Sequence, residues 1–197
     1  MKTNVRSYTD RELLDRVKSL PTYKGFPSGY FVIYVRSNED AYDTFDDKKY
    51  TYYFEEGMST PKFIRVDTCT TNTGSYGLLN FSKYTKEGGA AILQADHMVY
   101  DAFVRGQSKG RNAYREYKAW GHYRDGNKDE KVDTVGKVIY EKIYAHIHRT
   151  KSRYNIINKI YNQSVGCLVD NNIEAFEEWF KMLEGQKYLT AVILNEF

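Results

Sequence analysis

Two histidines and one cysteine in the last third of the chain have the types and the setting of a nucleophilic site. His146 and His148 lie in the apolar segment Tyr144 to Arg149, and Cys167 ends the sequence Ser-Val-Gly-Cys. A cysteine thiol titrates near pH 8.5, so a neighbouring imidazole must take its proton at neutral pH. The pattern therefore predicts a thiolate–imidazolium pair, since such a cysteine and histidine are commonly distant in sequence. The competing interpretation is a buried structural cysteine beside an unrelated histidine.

The residues around the cysteine are suited to acyl transfer. Gly166 has no side chain, which would let a substrate backbone approach, and Ser164 can hydrogen-bond locally and hold the turn. The backbone N–H groups of Gly166 and Cys167 could bind an oxyanion, the interaction that usually contributes most to acyl transfer. His146 and His148 are two positions apart on a predicted strand, so both should project from one face.

The composition indicates a folded domain without a nucleic-acid surface. The chain has 197 residues, of which 41% are hydrophobic, enough for a sizeable core in one domain. Its 29 basic and 26 acidic residues give a net charge of +3 and are spread along the chain, so no basic groove is predicted. The 19 tyrosines suit strands and half-hydrated clefts.

Targeting and redox signals are few. The first residues, MKTNVRSY, lack the apolar centre of a secretory signal, and no stretch approaches the roughly 18 apolar residues of a membrane helix. We therefore expect a protein made in the cytoplasm, without membrane insertion. In a reducing compartment Cys167 is expected to be a free thiol rather than half of a disulfide with Cys69.

Helices are predicted near both ends of the chain and strands between them. Thr9 and Glu12 have the spacing of a capping box at the start of an amphipathic helix that reaches Ser19. Asn171 to Glu184 has the clearest helical periodicity. Strands are predicted at Tyr30 to Arg36, Lys49 to Glu55, Phe63 to Thr68, Gly89 to Leu93, Tyr114 to Tyr123, Tyr140 to His148 and Tyr188 to Leu194.

This element order predicts a mostly β (α+β) fold. We expect an antiparallel β domain with a few peripheral helices. Residues 1–25 would form an N-terminal helix and lead-in, and residues 26–197 a single domain.

The histidine, the spacing and the Ser-x-Gly-Cys turn together resemble the catalytic domain of the YkuD-type L,D-transpeptidases. Further blocks resemble lysin-like proteins of Bacteroidetes and their phages, and the likeness covers most of the chain from Phe26 onward. These blocks are Cys69 to Gly74, Tyr123 to Asp129, Ile147 to Arg149 and Ser164 to Val169.

The resemblance assigns roles to individual residues. The chain departs from the family pattern at Arg149, which replaces a glycine, and at Val169, which replaces an arginine that commonly binds a substrate carboxylate. Arg149 is the candidate to take over that arginine's task. By resemblance, His148 is the base, Cys167 the nucleophile, Ser164 and Gly166 form the supporting turn, and the backbone carbonyl of Arg149 orients the imidazole.

The resemblance implies cysteine-dependent acyl transfer on the stem peptides of peptidoglycan. Transfer to water would make the protein a murein peptidase, and transfer to an amine would make it a cross-linking transpeptidase. A phage-encoded lysin or virion-associated enzyme would reach the cell wall as a virion component or after release at lysis. Its partners would then be peptidoglycan and other virion proteins, with no cofactor required.

A zinc-dependent murein endopeptidase is the first alternative. His97 and Asp101 form an H-x-x-x-D pattern, and His146 and His148 form an H-x-H pattern. Two imidazoles on one strand face can reach a single zinc ion, so these four residues are its candidate ligands.

Two further interpretations remain open. The segment from Asp125 to Asp133 has the oxygen spacing of a weak calcium loop, with Asp125, Asn127, Asp129 and Asp133 as candidate ligands. It lacks the usual glycine and the final glutamate, for which Glu130 and Gly136 stand, so a β-turn competes. The tyrosine-rich composition also allows a non-catalytic virion structural or glycan-binding module.

Overall fold

The fold of this computed structural model is built from eleven strands and three α-helices among the described residues, which are 5–38, 42–83, 85–86 and 88–197. Residues 1–4 of the predicted lead-in lie outside them. The strands are β1 (Gly29–Arg36), β2 (Asp47–Phe54), β3 (Lys62–Thr70), β4 (Ala90–Leu93), β5 (His97–Ser108), β6 (Arg111–Glu116), β7 (Trp120–Asp125), β8 (Ile139–Glu141), β9 (His146–Arg149), β10 (Leu168–Asp170) and β11 (Tyr188–Asn195). The helices are α1 (Asp10–Lys18), α2 (Ser75–Asn80) and α3 (Ile173–Met182), and a 3₁₀ turn at Phe81–Lys83 follows α2.

Eight of the strands close into a barrel in the order β1-β11-β5-β6-β9-β10-β3-β2. Strands β4, β7 and β8 form a separate three-stranded sheet. The prediction of a mostly β fold with few helices is confirmed. Most barrel neighbours are antiparallel, but β1 pairs with β11 and β9 with β10 in parallel. The second parallel pair carries the candidate site.

Helix α3 contributes to the barrel core instead of lying at the periphery. Its Phe176, Trp179 and Phe180 belong to the same buried cluster as Ile147 and Leu168 of the barrel strands. Aromatic side chains bury a large apolar area each, so α3 fills much of the space that the closed sheet encloses.

Helix α1 packs on the outside of the barrel. Thr9 caps it, and both hydrogen bonds of the predicted capping box with Glu12 are present. Leu13, Leu14 and Val17 are buried as predicted, in a cluster that includes outward residues of β1. The N-terminal helix is therefore packed against the barrel wall.

Two of the predicted strands are each divided between the two sheets. The segment Tyr114 to Tyr123 supplies β6 of the barrel and β7 of the small sheet, because the chain leaves β6 after Glu116. The segment Tyr140 to His148 likewise supplies β8 and β9. Tyr144 interrupts it with a φ of 59°, a left-handed conformation outside the β region.

Strand β5, the longest of the described strands, was not predicted. Asp101 has a φ of 53° inside it, and its register with β11 shifts between Leu189 and Ala191. A bulge of this kind breaks the alternation of apolar and polar residues on which strand prediction depends. His97, a candidate ligand of the zinc alternative, begins this strand.

The barrel interior also contains a buried ion cluster. The side chain of Lys49 is fully buried and contacts the carboxylate of Asp170, and its Nζ lies 3.5 Å from Asp67 Oδ2. The same Nζ lies 3.8 Å from the ring centroid of Trp179 on α3. Burial raises the pKa of the Asp170 carboxyl to about 6 although Lys49 lowers it. The ion pairs of Lys49 connect β2 with β3 and β10, and its contact with the Trp179 ring connects them to α3.

Candidate functional site

A cavity of about 650 Å³ lies on the outer side of the barrel. It is lined by β9, by the turn before β10, by the β5–β6 hairpin and by residues of the small sheet. The structure brings His146, His148, Arg149, Gly166 and Cys167 together at this cavity. The predicted nucleophile and base therefore share one solvent-filled space, and Ser164 is buried behind it.

The parallel pairing of β9 with β10 sets the relative position of histidine and cysteine. Leu168 pairs with Ile147 and Val169 with His148. Ile147 and Leu168 belong to the barrel core, so alternation places their neighbours on the opposite, outer face. Cys167 is the residue immediately before β10 and thus falls on the face that carries His148.

The His148 imidazole is held in one orientation by its own strand. Its Nδ1 lies 2.7 Å from the backbone oxygen of Arg149, the hydrogen bond expected from the resemblance. A carbonyl oxygen only accepts, so the neutral ring carries its proton on Nδ1 and its lone pair on Nε2. This tautomer leaves Nε2 as the atom that can accept a thiol proton.

Burial keeps both candidate groups neutral in the resting protein. Desolvation lowers the pKa of His148 to about 4, against a smaller opposing effect of its hydrogen bond to Arg149. Desolvation raises the pKa of the Cys167 thiol, opposed by a hydrogen bond with the backbone of His146 and by the charge of Lys151. These directions disfavour the expected thiolate–imidazolium pair before substrate binds. Proton transfer from thiol to imidazole would therefore have to accompany nucleophilic attack, and the lowered pKa makes the resting imidazole a weak base for it.

Ser164 holds the turn as predicted. Its Oγ donates to the Cys167 carbonyl oxygen at 2.7 Å and accepts from the Gly166 N–H at 3.3 Å. Because the Gly166 N–H is used in this way, the N–H of Cys167 is the remaining candidate donor to an oxyanion. Both cysteines are free thiols, as expected for Cys167, and Cys69 is completely buried.

Gly166 has a different role from the one that the sequence suggested. Its φ is 109°, a region that residues with a side chain rarely adopt. A Cβ there would lie 3.1 Å from the Ala91 backbone oxygen and 3.4 Å from Ile143 Cδ1. The space beside Gly166 is therefore narrow, bounded by β4 and by Ile143, although Gly166 also lines the cavity. Glycine is required because of the turn conformation and the close approach of β4.

Arg149 is already paired with another residue. Its Nε donates to Glu177 Oε1 on α3 at 2.7 Å, and Asn112 of β6 donates to the other oxygen of the same carboxylate. The guanidinium therefore connects β9, β6 and α3. This pairing opposes the prediction that Arg149 replaces the carboxylate-binding arginine of the family pattern.

Three basic side chains at the cavity were missed by the sequence analysis. Lys109 is in the β5–β6 hairpin, Arg111 begins β6, and Lys151 follows β9 by two residues. Across the described ranges none of the three forms an ion pair. No spacing pattern marks them, because they come from separate elements, although Lys151 is only three residues from His148.

The residues of the zinc alternative do not form a metal site. His97 packs against the ring of Tyr140, at 6.1 Å between centroids, and Asp101 pairs with Lys118 at 3.2 Å. Nowhere in the described part of the chain do three or more His, Cys, Asp or Glu side chains form a group that could hold a metal ion.

The candidate calcium loop is organised by hydrogen bonds of its own. Asn127 Nδ2 donates to Asp133 Oδ2 at 2.6 Å and to Asp129 Oδ2 at 3.1 Å. Asp125 Oδ2 accepts from the Asp133 N–H at 2.9 Å. The oxygens of these four residues therefore stabilise the loop itself, as in the competing β-turn interpretation.

Acidification is expected to destabilise the protein partly through His148. The pKa of this side chain is 6.5 in its ordinary state and about 4 in the fold, so between these values only the unfolded chain binds the proton. The free energy of unfolding should therefore decrease as the pH falls from 6.5 towards 4, by roughly 3 kcal/mol for a shift of this size. Urea unfolding followed by circular dichroism across this range measures the effect.

The control is the variant His148→Asn, which retains a donor near the position of Nδ1 and does not titrate. Its unfolding free energy should depend less steeply on pH across the same range. An equal slope in the two proteins would show that His148 is not the group responsible.

Comparison of the chain with protein-family models, with curated proteins and with solved structures found no match. Helices with the length and apolarity needed to cross a membrane are also not found among the described residues. The function is therefore inferred from the geometry of the cavity.

Proposed function

We propose that the protein is a cysteine-dependent acyl-transfer enzyme acting on the stem peptides of peptidoglycan. The single observation that carries the proposal is the position of His148 in the cavity of Cys167, with its Nδ1 fixed on a backbone carbonyl. Among the described residues the His148 ring makes its hydrogen bond through Nδ1, which leaves Nε2 free to accept a proton in the cavity that Cys167 also lines. The peptidoglycan substrate comes from the sequence resemblance and is the part that experiment must decide.

The first chemical step joins the thiol to the substrate carbonyl. As Cys167 Sγ attacks the peptide carbonyl carbon, His148 Nε2 accepts the thiol proton, and the negative charge on the carbonyl oxygen develops near the Cys167 N–H. The C–N bond then breaks, and the leaving amine takes the proton from the imidazolium. A thioester and a neutral histidine remain.

The second step releases the acyl group. Water or a second amine loses a proton to His148 Nε2 and attacks the thioester carbonyl. The C–S bond then breaks, and the imidazolium returns the proton to the sulfur, which regenerates the thiol and the neutral histidine. Water gives hydrolysis and an amine gives a new cross-link. Because the resting imidazole is neutral, it is already in the form that a general base requires.

Purified sacculi provide the direct test. Incubation with the protein should change the muropeptide composition, measured by liquid chromatography and mass spectrometry, equally with and without EDTA. Prior alkylation with iodoacetamide should stop the change, because it blocks the only described thiol that lines the cavity.

Two outcomes would refute the proposal. Activity that EDTA abolishes and alkylation spares would indicate a metal-dependent enzyme. Unchanged muropeptides under all conditions, with binding of the protein to the sacculi, would support the non-catalytic module.

A further inference from the structure

The cavity has an excess of positive charge close to the nucleophile. Two of its basic side chains are neutralised, Arg124 by Glu141 at 3.2 Å and Arg149 by Glu177 at 2.7 Å. Lys109, Arg111 and Lys151 also line the cavity, and throughout the described residues they have no acidic partner. We call these three the cationic cluster.

The members of the cationic cluster face one another across the same space. The charges of Lys109 and Arg111 lower the pKa of Lys151, in addition to the larger effect of desolvation. The charge of Lys151 also acts on Cys167 and on His148. The three cations therefore repel one another beside the thiol, and an anion between them would remove that repulsion.

The cluster is built from elements with fixed relative positions. Lys109 and Gly110 form the two-residue turn of the β5–β6 hairpin, and Arg111 pairs with Ser108 at the base of this turn. Lys151 follows β9, which is paired with β6. The backbone N–H of Lys151 also donates to Gln163 Oε1 at 2.6 Å, which connects this residue to the loop before Cys167. The three cationic residues therefore belong to the paired strands and turns that line the cavity.

We propose that Lys109, Arg111 and Lys151 form an anion subsite that binds a carboxylate of the substrate next to the carbonyl attacked by Cys167. The inference deepens the proposed function, on which its peptide carboxylate rests. It assigns the substrate class as peptides with a free acidic group close to the scissile bond. Peptides amidated at that group should be poor substrates.

Alkylation of Cys167 tests the subsite without any peptide. Iodoacetate and iodoacetamide react with a thiolate in the same way, by displacement of iodide, but only iodoacetate is an anion. The ratio of their rates, relative to the ratio for a free cysteine, should be raised in the native protein by roughly three- to tenfold. Peptide mapping confirms that Cys167 carries the label, because Cys69 is completely buried.

Substitutions of single lysines identify which charges raise the rate ratio of iodoacetate to iodoacetamide. Lys151→Met and Lys109→Met should each lower the ratio towards that of free cysteine, and added salt should do the same. Lys142→Met is the matched control, because Lys142 also lines the cavity but packs beside the ring of Tyr117. This control should leave the ratio unchanged.

The outcomes separate binding of an anion from a change in thiol acidity. If Lys151→Met slows both reagents by one factor, Lys151 acts only on the thiol and the subsite is refuted. A native ratio equal to that of free cysteine also refutes it. A raised ratio together with inactivity on sacculi supports the subsite and contradicts only the peptidoglycan substrate.

Discussion

Replacing Cys167 by serine is expected to abolish the change in muropeptide composition while the fold is retained. Serine differs from cysteine by one atom, and the turn depends on Ser164 and on the backbone of Cys167, so folding should be unaffected. A serine hydroxyl is a much weaker acid than a thiol, and His148 has a pKa of about 4, too low for this base to activate it. The expected loss in rate is at least about 10³-fold.

Cys69 provides the matched control for this substitution. It is the second free thiol, and it lies in the barrel core away from the cavity lining. Cys69→Ala should retain the activity and lose only some stability, because a small buried group is removed. Rates of muropeptide change and unfolding curves should be measured for both variants. Activity retained by Cys167→Ser would remove the nucleophile from the mechanism.

Replacing Lys49 by methionine is expected to cause a large loss of stability. The methionine fills a similar volume but leaves Asp170 buried without its paired cation, whereas Asp67 keeps its ion pair with Arg65 at 2.6 Å. Removing one partner of a buried ion pair typically costs about 3–5 kcal/mol in the free energy of unfolding. Chemical denaturation near neutral pH measures the difference.

A second substitution shows whether the loss comes from the charge. In Lys49→Met with Asp170→Asn, one uncompensated carboxylate is removed, so the double variant should recover part of the loss. Strict additivity of the two single effects would contradict direct coupling of Lys49 and Asp170. These variants also bear on the candidate site, because Asp170 is in β10, three residues after Cys167.

The elements that could be predicted from the sequence are those that depend on residues close to one another along the chain. The capping box of α1 and the amphipathic pattern of α3 depend on residues within one or two turns, and both helices occur where expected. The closure of the barrel depends on pairing between distant strands, so no local pattern could predict it. Helix α3 was expected at the periphery because its apolar face is equally suited to the outside of a sheet.

The candidate site could be predicted only in part for a similar reason. Residue types and spacing identified His148 and Cys167, but their protonation follows from burial, which the sequence does not show. The sequence also did not show that strand β4 approaches Gly166 closely, which requires the fold. Lys109 and Arg111 come from a hairpin distant in sequence, so only the fold relates them to the thiol.

The parallel pairing of β9 with β10 has a consequence for how such a protein can diverge. The register between the two strands fixes the base and the nucleophile, whereas the connection from residue 150 to 163, before the turn that holds Cys167, contains no helix and no strand of the barrel. This connection contributes Lys151 and Gln163 to the cavity. Its length and sequence can therefore change by insertion or exchange without moving the two reacting groups. In this architecture, ligand selectivity can change independently of the position of the reacting groups. A connection taken from another protein would therefore bring the ligand preference of that protein.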